Sequence, residues 1–177
     1  MQNLYKLGLI GLLLIPAIAS AHGPSRLKVV KDIQIDASPA EVWDVISEFC
    51  SIETWHPAVA KCEKSDGGNE KGTTRTLTLG NGESFTESLL SYNADGMTYS
   101  YRIAEANHDA VPVGSYGSTI TVSGGEEGGA NLNWKGFFYR AYPNNDPPPE
   151  LSDEAALEAI NGIYDSGMAR IKELAED

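Results

Sequence analysis

Apolar and polar positions change period along this chain, and the changes mark its elements. Lys28 to Asp36 alternates as a strand does. Ser38-Pro39-Ala40-Glu41 then writes a helix start. The serine caps, the proline takes the first helical position where no amide donor is needed, and the glutamate three residues after the serine completes a capping box. Val42, Ile46 and Phe49 follow at helical spacing, and Trp55-His56-Pro57 ends the helical region after a second short turn of helix. From Ala58 onward the period falls to two. Strands are predicted near residues 58–63, 73–79, 83–92, 97–105, 115–123 and 130–140, with turn signals at Asn81-Gly82, Asp95-Gly96 and the looser 124–129 glycine cluster. A helical period returns from about Asp153 to Ala175. Ser152 caps it, Asp153 and Glu154 sit in the first turn where the dipole favours acids, and Ala156, Ile160, Ile163, Gly167, Ile171 and Leu174 form one apolar stripe. Gly162 and Gly167 weaken that helix by up to ~1 kcal/mol each relative to Ala, which calls for close approach of a sheet or for room left to a ligand. The expected architecture is α+β: a curved seven-stranded antiparallel sheet gripping a long C-terminal helix, with two short helices after the first strand and an apolar pocket inside.

The first residues stand outside this pattern. Lys6, the apolar run from Leu7 to Ile18 and Ala19-Ser20-Ala21 read as a secretory signal peptide cleaved before His22. Residues 1–21 are thus expected to be removed and residues 22–177 to form one domain. The apolar run is shorter than the ~18 residues of a membrane span, so no stable anchor is expected, and the mature protein is placed in the periplasm or outside the cell. Lys and Arg number 13 against 25 Asp and Glu, a net charge of −12, which disfavours nucleic acid as a partner. Cys50 and Cys62 are the only cysteines. In an oxidising compartment they either bridge and close a short loop or lie as two small buried core residues; the sequence leaves both open.

Strand alternation lets the interior be read side chain by side chain. Arg75 shares a face with Leu77 and Leu79, Glu87 with Phe85 and Leu89, Tyr99 and Tyr101 with Ile103, Tyr116 with Ile120 and Val122, and Trp134 with Leu132 and Phe138. A buried charge is costly alone, so Arg75 and Glu87, on neighbouring strands of a hairpin, are expected to pair. Either the pair is a structural salt bridge, or Arg75 polarises a carbonyl or holds a carboxylate or sulfur oxyacid while Glu87 moves a proton. Trp55 and His56 stand at the expected mouth, His56 as a proton carrier near neutral pH or as a packed, hydrogen-bonded residue. The candidate pocket comprises Trp55, His56, Arg75, Glu87, Tyr99, Tyr101, Tyr116, Trp134 and Phe138. Two loops, Val111 to Gly114 and Tyr142 to Pro149, are each a lid, a docking edge or simple cover for the mouth. No two histidines have ligand spacing on one element, so no metal is expected. No cofactor is expected either: the acidic glycine cluster is a turn, not a phosphate cradle, and no Gly-x-Ser-x-Gly elbow occurs.

The order of elements, with the text SPAEVWDVISEFCSIETWHPAVAKCE, GTTRTLTL and GMTYSYRI, resembles the SRPBCC superfamily of START-type lipid-transfer proteins, pollen-allergen-like proteins and polyketide cyclases. Within it the signal peptide, WHPAVAKCE and RTLTL are most similar to the exported MxaD-like proteins. That resemblance implies an accessory of periplasmic methanol oxidation, engaging a dehydrogenase or its cytochrome, and a small hydrophobic ligand. The plant lachrymatory-factor synthase branch places its catalytic arginine and glutamate where Arg75 and Glu87 stand, and its pocket tyrosines resemble Tyr101 and Tyr116. The alternatives this leaves are a cyclase- or isomerase-type enzyme without metal using Arg75 and Glu87, or a carrier without chemistry.

Overall fold

The computed structural model describes residues 23–177. The signal-peptide reading falls outside them. Seven strands form one antiparallel sheet: β1 (Leu27–Ile35), β2 (Val59–Lys64), β3 (Thr74–Leu79), β4 (Ser84–Asn93), β5 (Thr98–Glu105), β6 (Val113–Gly124) and β7 (Ala130–Arg140), in the order β1-β7-β6-β5-β4-β3-β2. Between β1 and β2 lie the short helices α1 (Pro39–Ile46) and α2 (Ile52–Trp55), and the chain ends in α3 (Asp153–Glu176).

Local chemistry accounts for these boundaries. Ser38 caps α1 through a reciprocal box in which its amide donates to the Glu41 carboxylate at 2.8 Å, and Pro39 opens the helix. Ser152 accepts from the Ala155 amide at 3.2 Å to start α3. Gly82 adopts the left-handed φ of 89° that the β3–β4 turn requires. The next hairpin differs from the two-residue Asp95-Gly96 turn expected. Asn93 accepts from the Gly96 amide at 3.0 Å and the left-handed residue is Met97, so the loop is longer and Gly96 is not its pivot. Strand β6 begins two residues early, at Val113. Its ladder with β7 is broken by a bulge between Gly114 and Gly117, with Ser115 at φ 48°, so Val113 and Gly114 pair with Arg140 and Tyr139 instead of looping free.

The inner face of the sheet, α1 and α3 enclose the core. The stripe of α3 is rotated slightly from expectation: Ala156, Ile160, Tyr164, Gly167, Met168 and Ile171 are buried, whereas Ile163 and Leu174 are half-buried. Tyr164 stacks on Trp134 with centroids 4.3 Å apart. The two helical glycines have opposite reasons. A Cβ on Gly167 would stand 2.8 Å from Trp134 and 2.9 Å from His56, so close packing excludes it, while a Cβ on Gly162 would meet nothing within 4 Å.

Both predicted loops are held. Val111 and Val113 are buried, so this segment is wall, not lid. Arg140 clamps the other loop, donating to the carbonyls of Tyr142 (2.9 Å) and Asn144 (2.8 Å) and pairing with Asp153 at 3.1 Å. Cys50 and Cys62 are joined by a disulfide, their Cα atoms 5.7 Å apart, tying the segment after α1 to β2. Among the described residues no helix is long and apolar enough to cross a membrane, and no group of three or more His, Cys, Asp and Glu side chains gathers for a metal.

Candidate ligand-binding cavity

The sheet and α3 do not close on each other completely. Between them lies a cavity of about 360 Å³. The sheet supplies Leu77, Leu79, Phe85 and Ile103 to its walls, the α1–β2 region supplies Ile52, Ala58 and Val59, and α3 supplies Ile160 and Ile163. Ala159, Gly162 and Ser166 form the helix rim, where every side chain is small and Gly162 is exposed. Gly162 and, across from it on the α2–β2 connection, Ala58 are the exposed residues of the lining, so the cavity meets solvent between them.

Of the residues predicted for the pocket, His56, Arg75, Glu87, Tyr101, Tyr116 and Trp134 line the cavity. Trp55, Tyr99 and Phe138 do not. Trp55 is 1% exposed and packs edge-on against Trp134 at 5.9 Å, with an indole N–H that is the one buried, unpartnered side-chain polar atom among the described residues. Tyr99 is wrapped by Trp43, Phe49, Tyr92 and Tyr101, and Phe138 lies behind Tyr116. Sharing the inner face was not enough: Trp43 of α1 and Phe49 cover Tyr99, and Tyr116 stands between Phe138 and the cavity.

Arg75 and Glu87 are direct partners across β3 and β4. Two arginine nitrogens donate to one oxygen of Glu87, Nε at 2.8 Å and Nη2 at 2.7 Å, and Nη1 donates to the Phe49 carbonyl. The guanidinium lies 4.1 Å from the Phe49 ring centroid and 4.9 Å from that of Tyr101. Each of its nitrogens is thus already engaged. Of the two readings of the pair, this geometry is that of a structural salt bridge, with Arg75 anchoring Glu87 and Phe49. Burial works against the arginine's charge, but Glu87 more than offsets it and holds the guanidinium protonated. Burial pushes the Glu87 carboxyl above its usual range, with Arg75 pulling it back.

His56 is 4% exposed. Its Nε2 lies 3.0 Å from the Ile163 carbonyl and its Nδ1 accepts from the Ala58 amide at 3.2 Å, which fixes a neutral ring protonated at Nε2. Burial, aided by the Arg75 charge, lowers its pKa to about 4. It is no proton carrier near neutral pH. The unfolded chain, with an ordinary value near 6.5, binds the proton first, so stability is complete above pH ~6.5 and falls toward pH ~4. The expected slope is up to about 1.4 kcal/mol per pH unit in that window. Urea titrations across this range should show it in the parent and not in His56→Gln.

Behind the cavity lies a polar network that the sequence did not announce. Trp134 Nε1 donates to Ser118 Oγ at 2.9 Å and to the Tyr101 hydroxyl at 3.1 Å. Ser118 meets the Tyr164 hydroxyl at 2.7 Å, which meets Tyr116 at 3.2 Å, which meets Tyr101 at 3.4 Å. Burial raises all three phenols, Tyr164 to about 12, so they stay protonated. Ser118 was visible as a polar residue in the inward series of β6. Tyr164 was hidden because the stripe of α3 was drawn through aliphatic residues only.

Residues 26–176 match the family model described as polyketide cyclase / dehydrase and lipid transport. The chain belongs to this family. Its fold is the helix-grip fold of the SRPBCC superfamily, and solved structures agree with that assignment. XoxI of Bacillus cereus shares 29% identity at a TM-score of 0.72, over 85% of this chain and 96% of that one. A protein of Nitrosospira multiformis shares 25% identity at 0.66, over 83% and 94%. Truncated norcoclaurine synthase from Thalictrum flavum, at 16% identity and 0.64 over 86% and 95%, shares the fold. Among curated proteins none matches this member of the polyketide cyclase / dehydrase and lipid transport family.

Proposed function

We propose that this protein is an exported binding protein that takes one small, largely apolar molecule into the cavity under α3, as an MxaD-like accessory to a periplasmic dehydrogenase and its cytochrome. The observation that carries the binding reading is the cavity itself. Protein interiors are packed as densely as organic crystals, so about 360 Å³ of mostly apolar-lined space left between the sheet and α3 is an exception that an apolar ligand would fill. Its size suits a small ligand, at the lower end of the ~300–1,000 Å³ usual for such sites. Gly162 supports the same reading, since a Cβ there would meet nothing within 4 Å while a bulkier side chain would reach over the opening. Export rests on the leader-like N-terminus, and the accessory role on the text WHPAVAKCE and RTLTL.

Native mass spectrometry of protein purified from its own host should show a retained small molecule, and Gly162→Phe should lower its occupancy without lowering the unfolding midpoint. A ligand-free parent that also fails to bind hydrophobic fluorophores would remove the binding reading. Equilibrium binding to a methanol dehydrogenase and its cytochrome tests the accessory role separately, and N-terminal sequencing of the exported protein should begin at His22.

A further inference from the structure

Hydrogen-bond accounting around the cavity assigns the chemistry of its occupant, given that the cavity binds a ligand at all. The Lys135 carbonyl can only accept, and Ser118 Oγ lies 3.1 Å from it, so the serine spends its one proton there. The 2.7 Å contact between Ser118 and Tyr164 then requires Tyr164 to donate. Its proton spent, Tyr164 must accept from Tyr116, and Tyr116 in turn must accept from Tyr101. Every phenol proton therefore runs inward, away from the cavity.

The other polar groups on the lining follow the same rule. The His56 Nε2 proton goes to the Ile163 carbonyl and its Nδ1 lone pair is taken by the Ala58 amide. Ser166 donates to the Gly162 carbonyl at 2.8 Å. The three nitrogens of Arg75 each hold a protein acceptor, two of them on Glu87, so the arginine's charge is committed to that carboxylate even though its Nη groups carry further N–H bonds. Acceptors remain. Both Arg75 contacts fall on Oε2 of Glu87, and Oε1 takes no hydrogen bond from the described residues; it is also not among the buried, unpartnered atoms, so it meets the cavity space. The lone pairs of Tyr101, Tyr116 and Ser166 complete the set.

We infer that the cavity selects a small apolar ligand bearing a hydroxyl group, an alcohol or a phenol that donates to Glu87 Oε1 and the Tyr101 oxygen, and that it rejects carboxylates of the same shape. A ligand without a donor leaves buried acceptors unsatisfied, and an anion meets the Glu87 carboxylate and oxygen lone pairs while the Arg75 charge is already spent on Glu87.

Three probes of one shape test this: 2-naphthol, 2-methoxynaphthalene and 2-naphthoate, titrated by calorimetry or by tryptophan fluorescence. Naphthol is expected to bind at least tenfold more tightly than the ether, and naphthoate more weakly than either. Tyr101→Phe should bring naphthol down toward the ether while leaving the ether unchanged, a selective loss that damage to the fold would not give. Glu87→Gln, read in the same way, supplies a donor at the same place and should restore part of the naphthoate binding. Equal affinity for naphthol and ether, or tightest binding of naphthoate, would overturn the donor assignment and leave the cavity a binding site. Failure of all three probes and of a hydrophobic fluorophore would overturn the binding reading and this inference with it.

Discussion

Replacing Arg75 by methionine is expected to cost about 3–5 kcal/mol of folding stability, the usual effect of removing one partner from a buried ion pair. Arg75 and Glu87 are 1% and 3% exposed, and the loss strands an ionised carboxylate against Tyr101 and the cavity wall. Proton uptake by Glu87 would relieve part of that cost, so the deficit should shrink as pH falls. Urea unfolding at several pH values measures both. The double change Arg75→Met with Glu87→Leu should recover most of the loss, since apolar replacements for a whole buried pair are often neutral or better. A single variant that loses less than about 1 kcal/mol would mean that the pair sits in an environment as wet as an ordinary surface salt bridge.

Removing the Cys50–Cys62 bridge is expected to cost about 3 kcal/mol, the chain-entropy value for a loop of this length. The Cys50→Ala/Cys62→Ala double variant, or the parent under reductant, should show it as a lower urea midpoint. Phe49, next to Cys50, provides both the carbonyl that receives Arg75 Nη1 and a ring face over the guanidinium. Sites that share partners couple, so this loss and that of Arg75→Met should not add: freeing the segment already loosens the arginine's third contact. Identical midpoints with and without reductant would show that packing alone holds the segment.

The frame of this molecule was readable because its signals are local. The capping box at Ser38 and Glu41, the period-two runs and the Ser152 cap all act within a few residues, and each produced the element it promised. The pairing of Arg75 with Glu87 was also legible, since both charges fall on the inward side of adjacent strands and neither tolerates solitude. What each inward residue faces was not legible. Tyr99 and Phe138 alternate correctly yet miss the cavity, because Trp43 of α1 covers the first and Tyr116 screens the second, packing that strand alternation does not encode. The state of Arg75 depended on Phe49, 26 residues away and invisible to any strand pattern. Likewise the direction of the phenol protons follows from the Lys135 carbonyl, which no side-chain pattern reveals.

The strand order has a temporal meaning. β1 has a single neighbour, β7, which is the last strand to be made, and α3 follows it and rests on β1. A chain emerging from the ribosome therefore carries its first strand unpaired until almost the whole domain exists, and late, long-range closure of this kind is slow. The strands from β2 to β6 pair with chain neighbours as they appear, so the wait falls on β1 alone, and closure of the domain is its final step.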